Sequence, residues 1–517
     1  MHHAIYFVLL FVLAGSQSVS NFMMSGMEIL LAVNWMLEMD FKSKWQRAKS
    51  SPLLLFFLVL MAVHLVWMIP SENVAYGWND LFKKLPLLAI PLVVLTSSPL
   101  NRKQLQMICF ALVGTVFVAT IVGRVRMYLM PDLPYRQVPF ISHIRFSLNI
   151  CLSIILVFCF ICERYKRVHS VKDWLLWLMV AVMAFVVDFL FKIRSFTAFA
   201  ILFAVATLVL VFYRKRIVKK SLRLTATLLL VGTVLVSLIV SLVMVRQYYR
   251  PCPLMTQPLA STTANGNPYQ HKQDGLIECG NYVHNYVCVE ELEWEWAKRS
   301  DMLLTDTTEI GYPLNPALVR YLNAMGTTKD SVGMQLLNDE DVAAIEKGIA
   351  NPYYIHGNSL QKMFFVMLYE YESYRCFQAV KDFTMLQRFE LWRNAWTVFC
   401  QHPVFGVGTG DVTDACHKQL AIDHSALEGT TKHAHNQYLT FLVTFGIVGF
   451  LVIAAFFVKA IRRQRLLQSP VMAAYIIIVL VSFITEDTLE TLAGCLFSVL
   501  FFCLFATSVS DFKSKVQ

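Results

Sequence analysis

Along the chain, apolar runs close to the roughly 20 residues that a bilayer requires alternate with short polar connectors. About twelve such runs stand out, near 4–17, 22–37, 52–70, 82–97, 104–122, 145–162, 173–190, 195–213, 223–245, 434–458, 469–485 and 490–508. The pattern predicts an all-α polytopic membrane protein with about 12 transmembrane helices. One long polar stretch interrupts it. The expected organisation is therefore nine transmembrane helices over 1–245, a loop domain over 246–432, and three more helices over 433–517. The first run is followed by "AGSQS", which resembles a signal-peptide cleavage site. It has no Lys or Arg ahead of it, so it reads as a span.

Inside the loop the periodicity is helical from about 338. "NDEDVAAIEKG" has the form of a helix start, with Asn338 or Asp339 as N-cap and Gly348 as the stop. Its Asp339 and Asp341 are also a possible divalent-metal element, although acids in a first helical turn are explained by the helix dipole. "LQRFELWRNAWTVFCQHP" predicts a second helix with an apolar face of Leu386, Phe389, Trp392, Ala395, Trp396 and Phe399. That face suits a membrane surface or the span bundle. Pro403 and the glycines of "FGVGTGD" end it.

Composition agrees with the pattern: of 517 residues, 56% are hydrophobic and only 15% charged, against roughly 25% charged in soluble proteins. Charge then orients the chain. The connectors "FKSKWQRAK", "NRK", "ERYKRVHSVK", "YRKRIVKKSLR" and "KAIRRQR", and the tail "DFKSK", are basic and fall on one side if twelve spans alternate. The positive-inside rule places that side, with both termini, in the cytoplasm and the loop 246–432 outside. The loop holds 15 Lys/Arg and 22 Asp/Glu; the rest of the chain holds 30 and 13. The net +10 thus belongs to the membrane part and calls for the lipid bilayer as partner and for no nucleic acid. Six of the twelve cysteines (Cys252, Cys279, Cys288, Cys376, Cys400, Cys416) lie in the outer loop, where an oxidising compartment predicts up to three disulfides.

Cations on the outer side need a separate reason. Lys83 and Lys84 open the fourth span. Arg124, Arg126, Arg136 and Arg145 line the next outer connection, Lys192 and Arg194 sit in the short turn "FKIRSF", and Arg388 lies in the loop helix. Each alone is explained by snorkelling to the interface. Together they point to an anionic headgroup at the outer leaflet, since the arginine fork suits a phosphate. Glu486 and Asp487, in the outer turn "ITEDTLE", are suited to orienting an arginine or steering an acceptor.

"RFELWRNAWTVFCQHPVFGVGTGD" followed by "HAHNQYLTFLVTFGIVG" resembles the O-antigen ligase and O-antigen polymerase superfamily, with the ligases nearest. The ligase signature is His, then Asn, Ser or Gln, nine residues, Gly, two residues, Gly. Here it reads His435, Asn436, Gly446, Gly449. Arg194 resembles the family's membrane-edge arginine, and Arg388 the arginine that opens its loop helix. Residues 252–385 match no named part of the better-known ligases.

The resemblance implies a GT-C-like fold and a metal-independent, inverting glycosyl transfer, with no cofactor. The donor would be a glycan on undecaprenyl pyrophosphate and the acceptor a hydroxyl of lipid A-core or another glycan. The reaction would take place at the periplasmic face of the bacterial inner membrane. Pyrophosphate is a good leaving group, so charge neutralisation and positioning are the main tasks. By the resemblance and this chemistry, His435 is the expected base, with an unperturbed pKa of ~6.5 suited to that role. Arg194 and Arg388 are the expected catalytic arginines, binding the diphosphate with Arg145, and Asn436, Gly446 and Gly449 would fix the helix that carries the histidine. O-antigen polymerase and protein O-oligosaccharyltransferase are alternatives within the superfamily. A secondary transporter is the alternative from another class.

Overall fold

The computed structural model describes residues 1–130, 137–193, 195–213, 220–272, 275–380, 384–430 and 433–514. The described chain is mainly helical: α1 (His2–Ser16), α2 (Asn21–Leu37), α3 (Phe41–Ser50), α4 (Pro52–Val66), α5 (Val74–Lys84), α6 (Pro86–Thr96), α7 (Arg102–Leu129), α8 (His143–Val168), α9 (Trp174–Lys192), α10 (Phe196–Tyr213), α11 (Lys220–Tyr248), α12 (Val289–Trp296), α13 (Leu314–Met325), α14 (Ser331–Gln335), α15 (Asp339–Glu346), α16 (Ser359–Phe377), α17 (Thr384–Gln401), α18 (Val412–Ile422), α19 (Gln437–Gln464), α20 (Pro470–Thr485) and α21 (Leu492–Ser514). A two-residue hairpin, β1 (Ile277–Glu278) and β2 (Asn281–Tyr282), pairs antiparallel. Each apolar run of the sequence falls on a helix. Among the described residues, five helices are long and apolar enough to cross a membrane: Arg102–Leu129, His143–Val168, Trp174–Lys192, Thr227–Tyr248 and Gln437–Gln464. A sixth is the pair Asn21–Leu37 and Phe41–Ser50, bent by 114°. Others, such as Pro52–Val66 and Pro470–Thr485, are apolar but shorter.

The chain divides into two compact units, Met1–Thr227 with Leu391–Gln517, and Leu228–Glu390. In the first, α4 packs on α19, α6 on α21, and α10 on α20. Helix starts are set by side-chain caps. Ser51 caps α4 ahead of Pro52, Ser469 caps α20 ahead of Pro470, and Asn101 with Gln104 forms a capping box on α7. Such caps satisfy the first-turn N–H groups, and proline at the first position loses no bond there.

The second unit is built round Leu292, Trp296, Leu318, Leu322 and Ile345. At its centre a buried ion pair joins Arg320 to Glu278 (2.9 and 3.0 Å), and Glu278 also accepts from Asn351 (2.7 Å). Lys329 is buried beside it, donating to Asn323 (2.8 Å) and to the Asn285 carbonyl (3.0 Å). Burial lowers its ammonium pKa to about 7.

Three expectations need correction. The six loop cysteines are free thiols: four belong to the second unit, while Cys400 and Cys416 belong to the first. The helix at 338 begins as expected, with Asn338 as N-cap. Asp341, however, is used in the capping box and accepts from Tyr321, which explains this acidic turn without a metal. In α17 the buried positions are Leu391, Asn394, Ala395 and Val398, whereas Phe389 and Trp396 of the expected apolar face are exposed.

Candidate functional site

The site is organised by the start of α19. Asn436 is its N-cap, and its side chain accepts from the N–H groups of Tyr438 (3.1 Å) and Leu439 (3.2 Å). His435 therefore stands just ahead of the helix. Its φ of 50° is a left-handed conformation that costs a non-glycine residue about 1 kcal/mol or more. Asp487 holds it there. One carboxylate oxygen accepts the His435 N–H (2.7 Å); the other accepts the Asn436 N–H (3.0 Å) and the Thr440 hydroxyl (2.7 Å). The His435 ring lies with Nδ1 3.4 Å from Oε2 of Glu486. Its side chain is 32% exposed and that of Glu486 8%, so the ring is open to a substrate while its carboxylate partner is shielded.

The turn carrying these acids, between α20 and α21, is fixed from several helices. Arg145 of α8 donates to the Asp487 carbonyl (3.1 Å) and the Thr488 hydroxyl (3.3 Å). Gln437 bridges α19 to the turn, donating to Glu490 (3.1 Å) and accepting the Leu489 N–H (2.8 Å). Lys84 of α5 completes the cluster, bonded to Glu490 (2.7 Å) and to both oxygens of Asp80 (2.6 and 2.5 Å). Burial, then the nearby Glu490 carboxylate, pushes the Asp487 carboxyl above the ordinary range, against the pull of Thr440 and the two histidines.

A second device sets where α19 runs. The helix breaks at Gly446, whose φ of 61° and ψ of −170° are open essentially to glycine alone. The loop before α18 pairs with the break: Val407 N–H donates to Val443 carbonyl (2.9 Å), Gly408 to Thr444 (3.0 Å) and Ile447 to Pro403 (2.9 Å). The same loop is held to α4 and α5 by Trp67 donating to the Phe405 carbonyl (2.6 Å) and by Asp411 accepting the Glu72 and Asn73 N–H groups (2.9 and 2.8 Å). Gly449 faces Trp67 of α4. A continuous helix from His435 through both glycines is thus corrected. Gly446 admits a neighbouring loop backbone, and Gly449 a neighbouring helix.

His435, Asn436, Arg145, Glu486, Asp487 and Lys84 therefore converge. Arg194 and Arg136 lie outside the described residues. Arg388 is half-buried on α17 in the second unit. Arg124 is paired with Asp188, and Arg126 donates to the Val138 carbonyl (3.1 Å). Sequence reasoning missed Asp80, Gln437, Thr440 and Glu490. The signal available was polar residues interrupting apolar runs at helix ends, where an unpartnered group is costly.

Residues 354–454 match the family model described as O-antigen ligase. The chain belongs to the O-antigen ligase superfamily. The match runs from the second unit through Arg388, the 403–411 loop and His435 to beyond the break in α19. No curated protein matches the chain. Family and helices together make it a membrane protein of the O-antigen ligase and polymerase type, acting in glycosyl transfer between a lipid-linked glycan and an acceptor.

Proposed function

We propose that this protein is an O-antigen ligase that moves a glycan from undecaprenyl pyrophosphate to a hydroxyl of lipid A-core. It works at the periplasmic face of the inner membrane, with twelve spans in a GT-C-like arrangement and both termini in the cytoplasm. The observation that carries this reading is the His435 turn: an accessible imidazole beside a shielded carboxylate, its backbone fixed by Asp487. In the proposed reaction the His435 ring takes the proton of the acceptor hydroxyl, and Glu486 steadies the imidazolium that forms. The freed oxygen attacks the anomeric carbon as its bond to the diphosphate breaks, and the configuration inverts. Arg194 and Arg388 bind the departing diphosphate, and Arg145 adds positive charge while holding the 486–490 turn. No metal is needed in this scheme, so turnover is expected to persist in excess chelator. Loss of turnover in chelator and its return with a divalent ion would overturn that part.

The surface glycolipids of a deletion strain test the assignment. Bare core is expected. Core bearing a single repeat would make the protein a polymerase, and an intact ladder with lost protein glycosylation would make it a protein O-oligosaccharyltransferase.

A further inference from the structure

Beside the His435 turn lies a small pocket lined by Thr413 and His417 of α18, by His433, by Thr440 of α19, and by the apolar side chains of Ala395 and Val443. Two of its polar atoms, Nε2 of His417 and Oγ1 of Thr413, are buried with no partner among the described residues. Leaving such atoms unsatisfied costs about 1–3 kcal/mol each, so their convergence on one pocket asks for an occupant. Thr440 narrows its chemistry. Its hydrogen goes to Asp487 (2.7 Å), so towards the pocket it offers only lone pairs. The Thr413 hydroxyl is free to donate, and the His417 nitrogen donates or accepts according to tautomer. No carboxylate or ammonium lines the pocket. An anion would face the Thr440 lone pairs with the Asp487 carboxylate directly behind them. An alkyl group would leave both buried polar atoms unpaired. A hydroxyl on a pyranose ring both gives and takes a hydrogen bond, and its C–H face suits the apolar walls.

We propose that this pocket is a glycan subsite in which His417 and Thr413 hold a non-reacting hydroxyl of a substrate sugar. The proposal rests on the glycosyl-transfer reading of the same site. Through Thr440 and Asp487 the subsite is tied to the backbone of His435, so a sugar seated there would be registered against the base.

The test uses the full-length protein in nanodiscs, with donor and acceptor varied in turn for wild type, Thr413→Val and His417→Ala. Each variant is expected to raise KM for one substrate about tenfold, with a smaller change in kcat. The substrate affected identifies whether donor or acceptor sugar occupies the pocket. An analogue of that substrate lacking one ring hydroxyl should show the same penalty with wild type and little further penalty with Thr413→Val, a pattern that a merely structural role would not give. The proposal is overturned if both KM values stay within twofold of wild type in variants that melt at the wild-type temperature. It is also overturned if every deoxy analogue loses equally in wild type and variant. If wild type transfers no glycan, the functional reading falls by itself. Saturation-transfer NMR with the free core oligosaccharide then decides the pocket: a signal lost in Thr413→Val supports it, and no signal or an unchanged one overturns it.

Discussion

Replacing Asp487 with Asn should cripple transfer although no reacting group is removed. The carboxylate accepts three hydrogen bonds, from His435 N–H, Asn436 N–H and the Thr440 hydroxyl, at 2.7, 3.0 and 2.7 Å. An amide has one oxygen to accept with, and its NH2 must face at least one of these donors. One charge-assisted bond is lost, worth about 1.5–3 kcal/mol, and a donor–donor contact raises the total to about 2–4 kcal/mol. The load falls on the His435 backbone, whose φ of 50° needs that anchor. If only the anchored conformer is competent, kcat falls about 30- to 1000-fold, at tenfold per 1.4 kcal/mol. Thr440→Val removes one bond of the three and should cost about fivefold by the same arithmetic. The assay is glycan transfer by purified protein in nanodiscs, with melting temperature measured in parallel. An Asp487→Asn protein that turns over within threefold of wild type would refute the positioning argument.

Gly446→Ala should destabilise the protein by about 1–3 kcal/mol, because its Cβ would run into the Val404 carbonyl at a φ of 61°; a melting curve unchanged from wild type would contradict this. Lys84→Met leaves Asp80 and Glu490 buried without their cation. It should cost about 3–5 kcal/mol, read as a loss of folded protein in fluorescence-detected chromatography. In the second unit, burial holds Lys329 at about 7, whereas the unfolded chain keeps that proton to about 10.4. Between those values the unfolded state binds more protons, so this group makes stability rise with pH by about 1.4 kcal/mol per unit, with no further contribution below 7. Hydrogen exchange of Tyr321 and Leu322 amides across pH 7–9, corrected for intrinsic rates, should show that slope and lose it in Lys329→Met.

The helices were legible because a bilayer demands long apolar runs and because Ser, Asn and Pro mark their starts; Asn338 and Asn436 are caps at the places their spacing implies. His435 was legible through its signature spacing, and Arg145 and Asp487 as polar residues at span ends. The break at Gly446 was not, since a glycine in a helical pattern reads equally as a close-packing site, and only the backbone of 403–408 decides between them. The Lys84–Glu490 pair joins residues 406 positions apart, and no local period reports a contact at that separation. Disulfides were inferred from an even cysteine count, which says nothing about where the thiols lie: Cys400 and Cys416 fold with a different unit from the other four.

The central claim is that His435 takes the acceptor proton. Its most direct measurement is single-turnover transfer by His435→Ala in nanodiscs, with wild-type insertion and melting temperature verified. A fall in the transfer rate of about 100- to 10,000-fold, the contribution of a general base, is expected. A folded His435→Ala protein that transfers glycan within threefold of the wild-type rate would contradict it.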